Sequence, residues 1–327
     1  MNKINKNDKK NAFKFNKKGF LVIEENNDKN LNNIREKIEI EFSKNNYPRE
    51  INIDNFSNKK LIDEIIELIP FDKLKNIFKE ISEINKCGPI YLFPYANIMR
   101  NYFSGPFVGL HGWHSDSDGE YKHEFCRKQL NSKKYIFGKI QISFQTNNKF
   151  GGNIDVLTNQ YCKQRKDIPL KIKIFLKIQD FLTKNKFLSR CSLGNKWIVD
   201  YINYLYLYNK INLKPISTII FEHRLFHRGT PIKPKNLFDL EKKYKKRLID
   251  NYRLLPTINL KEKNKYVFYI HFGSKTGLLS YLYDRTKRSG NNEIEIWEKQ
   301  FKDLKLFSEE FPNAKNMFDE SLKTIFS

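Results

Sequence analysis

From residue 89 to residue 275 the apolar residues fall in short, β-rich runs, and this pattern constrains the fold more than any other feature of the chain. The runs cover residues 90–93, 97–103, 135–146, 152–157, 215–221 and 266–272. Lys139-Ile-Gln-Ile-Ser-Phe-Gln145 alternates apolar with polar residues, the mark of a strand with one buried and one polar face. Strands this short and this numerous are the material of a barrel or sandwich. The 27 Phe and 17 Tyr add the bulky side chains that pleated surfaces favour. A length of 327 residues suits one elaborated domain of this kind and does not demand two.

Helical patterns flank the β-rich region. Leu31, Ile34, Ile38 and Phe42 have helical spacing, and residues 59–84 repeat the pattern, with Pro70 expected to separate a pair of helices. Gly19 to Glu24 reads as a short apolar strand, and residues 1–18 read as a flexible basic tail. The expected organisation is therefore mainly β with flanking helices. A single domain spans 19–327, with a helical region at 19–88, a core at 89–275 and a helical region at 276–327. Two excursions interrupt the core, at 158–213 and 233–264. The second is rich in Lys, Asn and Pro and is longer than a hairpin loop, so it reads as a lid or a low-complexity expansion. Past Gly277, Ile294, Trp297, Phe301, Leu304 and Phe307 form an apolar stripe.

The net charge of +23 admits nucleic acid, an anionic surface or an acidic substrate as partner. Lys far outnumbers Arg, Asn and Ile are also abundant, and the bias pervades nearly every segment. Genome composition accounts for it better than nucleic-acid binding does. Cys87, Cys126, Cys162 and Cys191 are far apart and form no CxxC pair, as expected of reduced thiols in a cytoplasm. No apolar run approaches a membrane span and no signal-peptide core follows the basic start, so a cytoplasmic location is expected, with no membrane partner.

His114-Ser115-Asp116 carries chemistry. In extended chain, residues two apart point the same way, so both side chains can converge on one metal ion. Six His and 37 acidic residues in this length give roughly 0.7 such pairs by accident, so the spacing alone is weak. A third ligand must come from a distant strand. Residues 218–231 form an apolar strand running into a Gly/Pro turn and offer both His223 and His227, between which spacing does not choose.

Taken together, Gly112-Trp-His-Ser-Asp116, Gly151-Gly-Asn-Ile-Asp-Val156, residues 220–229 and Ile270-His-Phe-Gly-Ser274 resemble, in content and order, the phytanoyl-CoA dioxygenase family of Fe(II)- and 2-oxoglutarate-dependent oxygenases. The strand at residues 18–23 ahead of a helix is similar to that family's start. The resemblance implies a double-stranded β-helix, or jelly roll, with iron at its mouth. It places the metal ligands on His114, Asp116 and His227, because the family's last ligand precedes a Gly-containing turn, and leaves His223 as a supporting histidine. It also implies a basic residue at the start of the last core strand that anchors the far carboxylate of 2-oxoglutarate. The matching residue is Lys265, where the family usually has arginine. Tyr102 could add a hydroxyl and Gln141 could reach the cosubstrate from the side, while sheet packing or a solvated face would explain either equally well.

The activity so implied is hydroxylation of a small-molecule or acyl-type substrate, with O2 consumed and succinate and CO2 released. Asp116 favours hydroxylation, since related halogenases lack this carboxylate. An iron oxygenase acting on nucleic acid and a non-catalytic jelly-roll binding module are the competing expectations.

Overall fold

The structure is a computed structural model that describes residues 6–23, 31–48, 50–52, 55–101, 114–144, 154–156, 169–184, 209–211, 216–229, 242 and 265–289. Its frame is a six-stranded antiparallel sheet built from β1 (Phe20–Ile23), β2 (Glu50–Asn52), β3 (Ile90–Asn101), β4 (Phe137–Ser143), β7 (Thr218–Glu222) and β9 (Lys265–Ser274). These lie in the order β1-β7-β4-β9-β3-β2. A smaller sheet is built from β5 (Ile154–Val156), β6 (Asn209–Ile211) and β8 (His227–Gly229), in the order β6-β5-β8. An isolated bridge between His114 and His227 adds a fourth segment to it.

Connectivity defines the fold class. The chain runs from β3 in the large sheet to His114 beside the small one, back to β4, across to β5 and β6, back to β7, across to β8 and finally to β9. Repeated crossing between two facing antiparallel sheets is the winding of a double-stranded β-helix. The expected fold class, mainly β with flanking helices and a jelly-roll core, describes the chain.

Period-two alternation in the large sheet separates two environments. Ile140 and Ile142 of β4, Ile220 of β7, and Tyr266, Phe268, Ile270 and Phe272 of β9 join a core with the amino-terminal helices. Those helices are α1 (Lys6–Lys18), α2 (Leu31–Lys44), α3 (Lys59–Ile66) and α4 (Phe71–Asn85). Phe78 of α4 stacks on Phe272 at 4.6 Å, and Phe42 of α2 meets Tyr266 at 4.9 Å. The opposite face turns toward the small sheet, where Ile219, Phe221 and Tyr269 pack with Ile154, Val156 and Ile211. Lys139 and Gln141 share that inner face of β4, as Lys265 and His271 share that of β9.

Several expectations need correction. Residues 6–18 are not a frayed tail: they form α1, in which Ala12 and Phe15 are fully buried and Phe15 meets Phe272 at 6.1 Å. Their apolar residues are sparse among lysines, but one helical face of them suffices to cover the sheet. The runs at 90–93 and 97–103 are, as far as the described residues go, one strand, β3, which ends at Asn101 and has a register shift between Phe93 and Ala96. The excursion at 158–213 is not wholly outside the barrel, because its last residues supply β6, and it also carries α6 (Leu170–Lys184). The stretch at 233–264 lies outside the described residues apart from Lys242, as does the stripe from Ile294 to Phe307.

The helices separated by Pro70 are α3 and α4, and Pro70 occupies the position before α4. At the carboxyl side, α5 (Glu124–Leu130) and α7 (Lys275–Ser289) pack around Tyr91, Tyr135, Phe137 and Tyr281 beside one end of the barrel. A Cβ on Gly277 would collide with the carbonyl of Ile136, so only glycine lets α7 start against β4. Among the described residues, no helix is long and apolar enough to cross a membrane.

Candidate metal centre

His114 and His227 are positioned by their main chains. The amide of each donates to the carbonyl of the other, at 3.0 and 2.9 Å, which puts their side chains opposite one another on adjacent strands. Their rings lie 4.5 Å apart. Asp116 follows in a turn rather than in the extended strand its spacing suggests. That turn is closed by Asp118 N donating to Ser115 O at 3.1 Å and by a 2.7 Å contact between the hydroxyls of Ser115 and Ser117. Ser117 N donates to His223 O at 3.3 Å, and His223 N donates to Phe137 O at 2.8 Å. The His223 backbone thus ties the Asp116 turn to β4, four residues before His227.

His114, Asp116 and His227 each present a ligand atom within 4.8 Å of the other two. His227 Nδ1 lies 3.0 Å from Leu225 O, so Nδ1–H donates there and the Nε2 lone pair is left for a metal. Burial pushes His227 down to about 4, partly opposed by the charge of Asp116, which keeps the imidazole neutral and able to ligate. Burial alone would raise the Asp116 carboxyl, but Lys139 and the surrounding histidines outweigh it and hold the group well below the ordinary range. It is a carboxylate at any working pH.

Two further basic residues face the same interior. Lys139 Nζ stands 2.9 Å from Asp116 Oδ2 and 5.4 Å from the centre of the Tyr269 ring. The Asp116 oxygen has no hydrogen-bond partner among the described residues, so the contact is an ion pair away from the hydrogen-bond direction. Lys265 is the first residue of β9, buried, and pushed down to about 8 because burial penalises its charge more than nearby Asp155 restores it. Asp155 is itself paired with Arg228, Nε to Oδ2 at 3.0 Å. Lys265 lies four residues from Tyr269 on the same strand face, roughly 13 Å along the strand.

Gln141 is completely buried, and neither its amide oxygen nor its nitrogen has a partner among the described residues. His223 is buried too, with both ring nitrogens unpartnered among the described residues. Burial pushes it far down, and its ring stands edge-on to Phe137 at 4.4 Å and near His271 and Tyr281 at 5.5 Å each. Its side chain belongs to that aromatic group and not to the ligand cluster. Tyr102 lies outside the described residues.

Sequence reasoning passed over Lys139 and Arg224. Lys139 was legible in principle, being two residues before Gln141 on the same strand face. Arg224 was not: it pairs with Glu222 and donates to Leu130 O at 2.8 Å and Tyr135 O at 3.0 Å, contacts that exist only once α5 is folded against the turn.

No protein-family model and no curated protein matches the sequence. Among solved structures the chain has a distant likeness to the non-heme alpha ketoglutarate dependent carbocyclase SnoK from nogalamycin biosynthesis, with 8% identity, 81% of this chain and 83% of that one covered, and a TM-score of 0.43. EctD from S. alaskensis with 2-oxoglutarate and 5-hydroxyectoine gives 8%, 82%, 76% and 0.44 in the same order. HygX from Streptomyces hygroscopicus with nickel and 2-oxoglutarate gives 11%, 81%, 86% and 0.39. Likenesses this remote carry no weight for activity, which must be argued from the side chains.

Proposed function

We propose that the chain is an Fe(II)- and 2-oxoglutarate-dependent dioxygenase that hydroxylates a small-molecule or acyl-type substrate, in the manner of the phytanoyl-CoA dioxygenase family. The observation that carries this reading is the convergence of His114, Asp116 and His227 at the rim of a jelly roll. Two imidazoles and one carboxylate are the donor set that iron(II) oxygenases use, and the tie from His227 Nδ1 to Leu225 O fits a ligating Nε2. Iron bound there with 2-oxoglutarate and O2 would supply oxidative decarboxylation to succinate and CO2, coupled to hydroxylation of a substrate C–H bond.

The protein's role is to hold and to exclude. Lys265 is a buried ammonium with no ion-pair partner among the described residues, and a cosubstrate carboxylate would relieve the cost of burying it. Gln141 brings an unpartnered amide to the same interior, able to donate to a carboxylate or keto oxygen. Val156, Phe221 and Tyr269 wall the space with apolar surface that keeps bulk water away. A cytoplasmic, soluble enzyme belongs to the same proposal.

The test is succinate release by purified protein supplied with Fe(II), 2-oxoglutarate and ascorbate. Wild type should turn over even without a prime substrate, by slow uncoupled decarboxylation, and Asp116→Ala and His227→Ala should each lose at least about a hundredfold. Equal turnover in wild type and Asp116→Ala would reject the assignment.

A further inference from the structure

The two oxygens of Asp116 have different surroundings. Oδ1 lies 3.8 Å from His114 Nε2, whereas Oδ2 has the Lys139 ammonium at 2.9 Å. Lys139 is not a wandering surface group. Its backbone is paired on both sides in the sheet, with Phe221 of β7 and His271 of β9, and its Nζ rests over the Tyr269 ring. A second cation approaching Oδ2 would meet a like charge within about 3 Å, a repulsion that the half-buried setting screens incompletely.

Resting on the function proposed above, we infer that Lys139 is a positioning residue that confines Asp116 to one-oxygen coordination and so keeps a metal position open for dioxygen. Two imidazoles and one carboxylate oxygen leave three places on an octahedral ion, two for a chelating oxo-acid and one for O2. If both carboxylate oxygens bound, the oxo-acid would fill the last two places. The same ammonium competes with the metal for Asp116, so it should weaken metal binding while making the bound site reactive. A lysine that merely supported the fold would do the opposite when removed.

The experiment compares full-length wild type, Lys139→Met and Lys139→Arg. Calorimetry with Mn(II) reads metal affinity, and electron paramagnetic resonance of the Fe(II)·2-oxoglutarate protein exposed to nitric oxide, a stand-in for O2, reads the open position. Lys139→Met should bind Mn(II) roughly tenfold more tightly and lose most of the nitric oxide signal, while Lys139→Arg matches wild type in both. Weaker Mn(II) binding by Lys139→Met, or an undiminished nitric oxide signal, would overturn the inference. Failure of wild type to bind Mn(II) or Fe(II) at all would remove the functional reading itself, an outcome distinct from either. Lys139→Gln, which keeps a polar side chain, serves if the methionine variant fails to fold, with the same two readouts and the same expected directions.

Discussion

A buried lysine is costly unless something answers its charge, and among the described residues Lys265 has only the already engaged Asp155 nearby. If 2-oxoglutarate is its partner, the charge should appear in the kinetics. The ammonium loses its proton as pH rises through about 8, so cosubstrate affinity should fall above that pH and be level below it. Lys265→Met should raise the KM for 2-oxoglutarate about thirtyfold, from the roughly 2 kcal/mol of one charged hydrogen bond, and abolish the pH dependence. Steady-state kinetics between pH 6 and pH 9.5 would decide. An unchanged KM would detach Lys265 from the cosubstrate. The position was legible in the sequence because it opens the last strand. That it is buried, with no ion-pair partner among the described residues, was not, since Asp155 and Arg228 reach its neighbourhood through a different sheet.

Among the elements, the junction of α5, α7 and the 3-10 turn Glu120–Lys122 stores a pH dependence of its own. Glu120 is 1% exposed and accepts hydrogen bonds from Tyr135 Oη, at 3.2 Å to each oxygen, and from Ser280 Oγ. Burial pushes its carboxyl up to about 7, which Ser280, Tyr135 and Arg224 reduce and Asp284 reinforces. The folded value is above the unfolded one, so this contribution to stability is complete below about pH 4.5 and is lost as pH rises through about 7. The loss amounts to roughly 3 kcal/mol. Urea denaturation across that range should show the decline in wild type and a flatter profile in Glu120→Gln. A profile that stays as steep in the variant would place the titration elsewhere. Helical and strand periodicity located α2, α3, α4 and most strands to within a few residues. The three-residue β2 and β6 escaped because runs so short carry no period, and the single strand expected over 218–231 is two, β7 and β8, in different sheets, because the chain turns at 223–226.

For the molecule as a whole, the amino-terminal helices form one side of the fold, and the large sheet separates them from the barrel interior. Phe15 shows how far that dependence reaches: it is fully buried and its ring packs near Phe272, 257 residues further along the chain. Phe15→Ala should cost about 3 kcal/mol in equilibrium denaturation. A loss below about 0.5 kcal/mol would mean that α1 contributes little to holding the fold together. What the sequence determined by itself was the local material: the period-two strands, the helices on either side of Pro70, and an HxD pair with two candidate histidines beyond it. Which histidine joins the cluster, whether residues 6–18 fold, and where Lys139 sits were decided only by tertiary structure. The physical reason is that each depends on partners distant in sequence. His114 and His227 are brought opposite each other by a single pair of backbone hydrogen bonds across 113 residues, which no local pattern records.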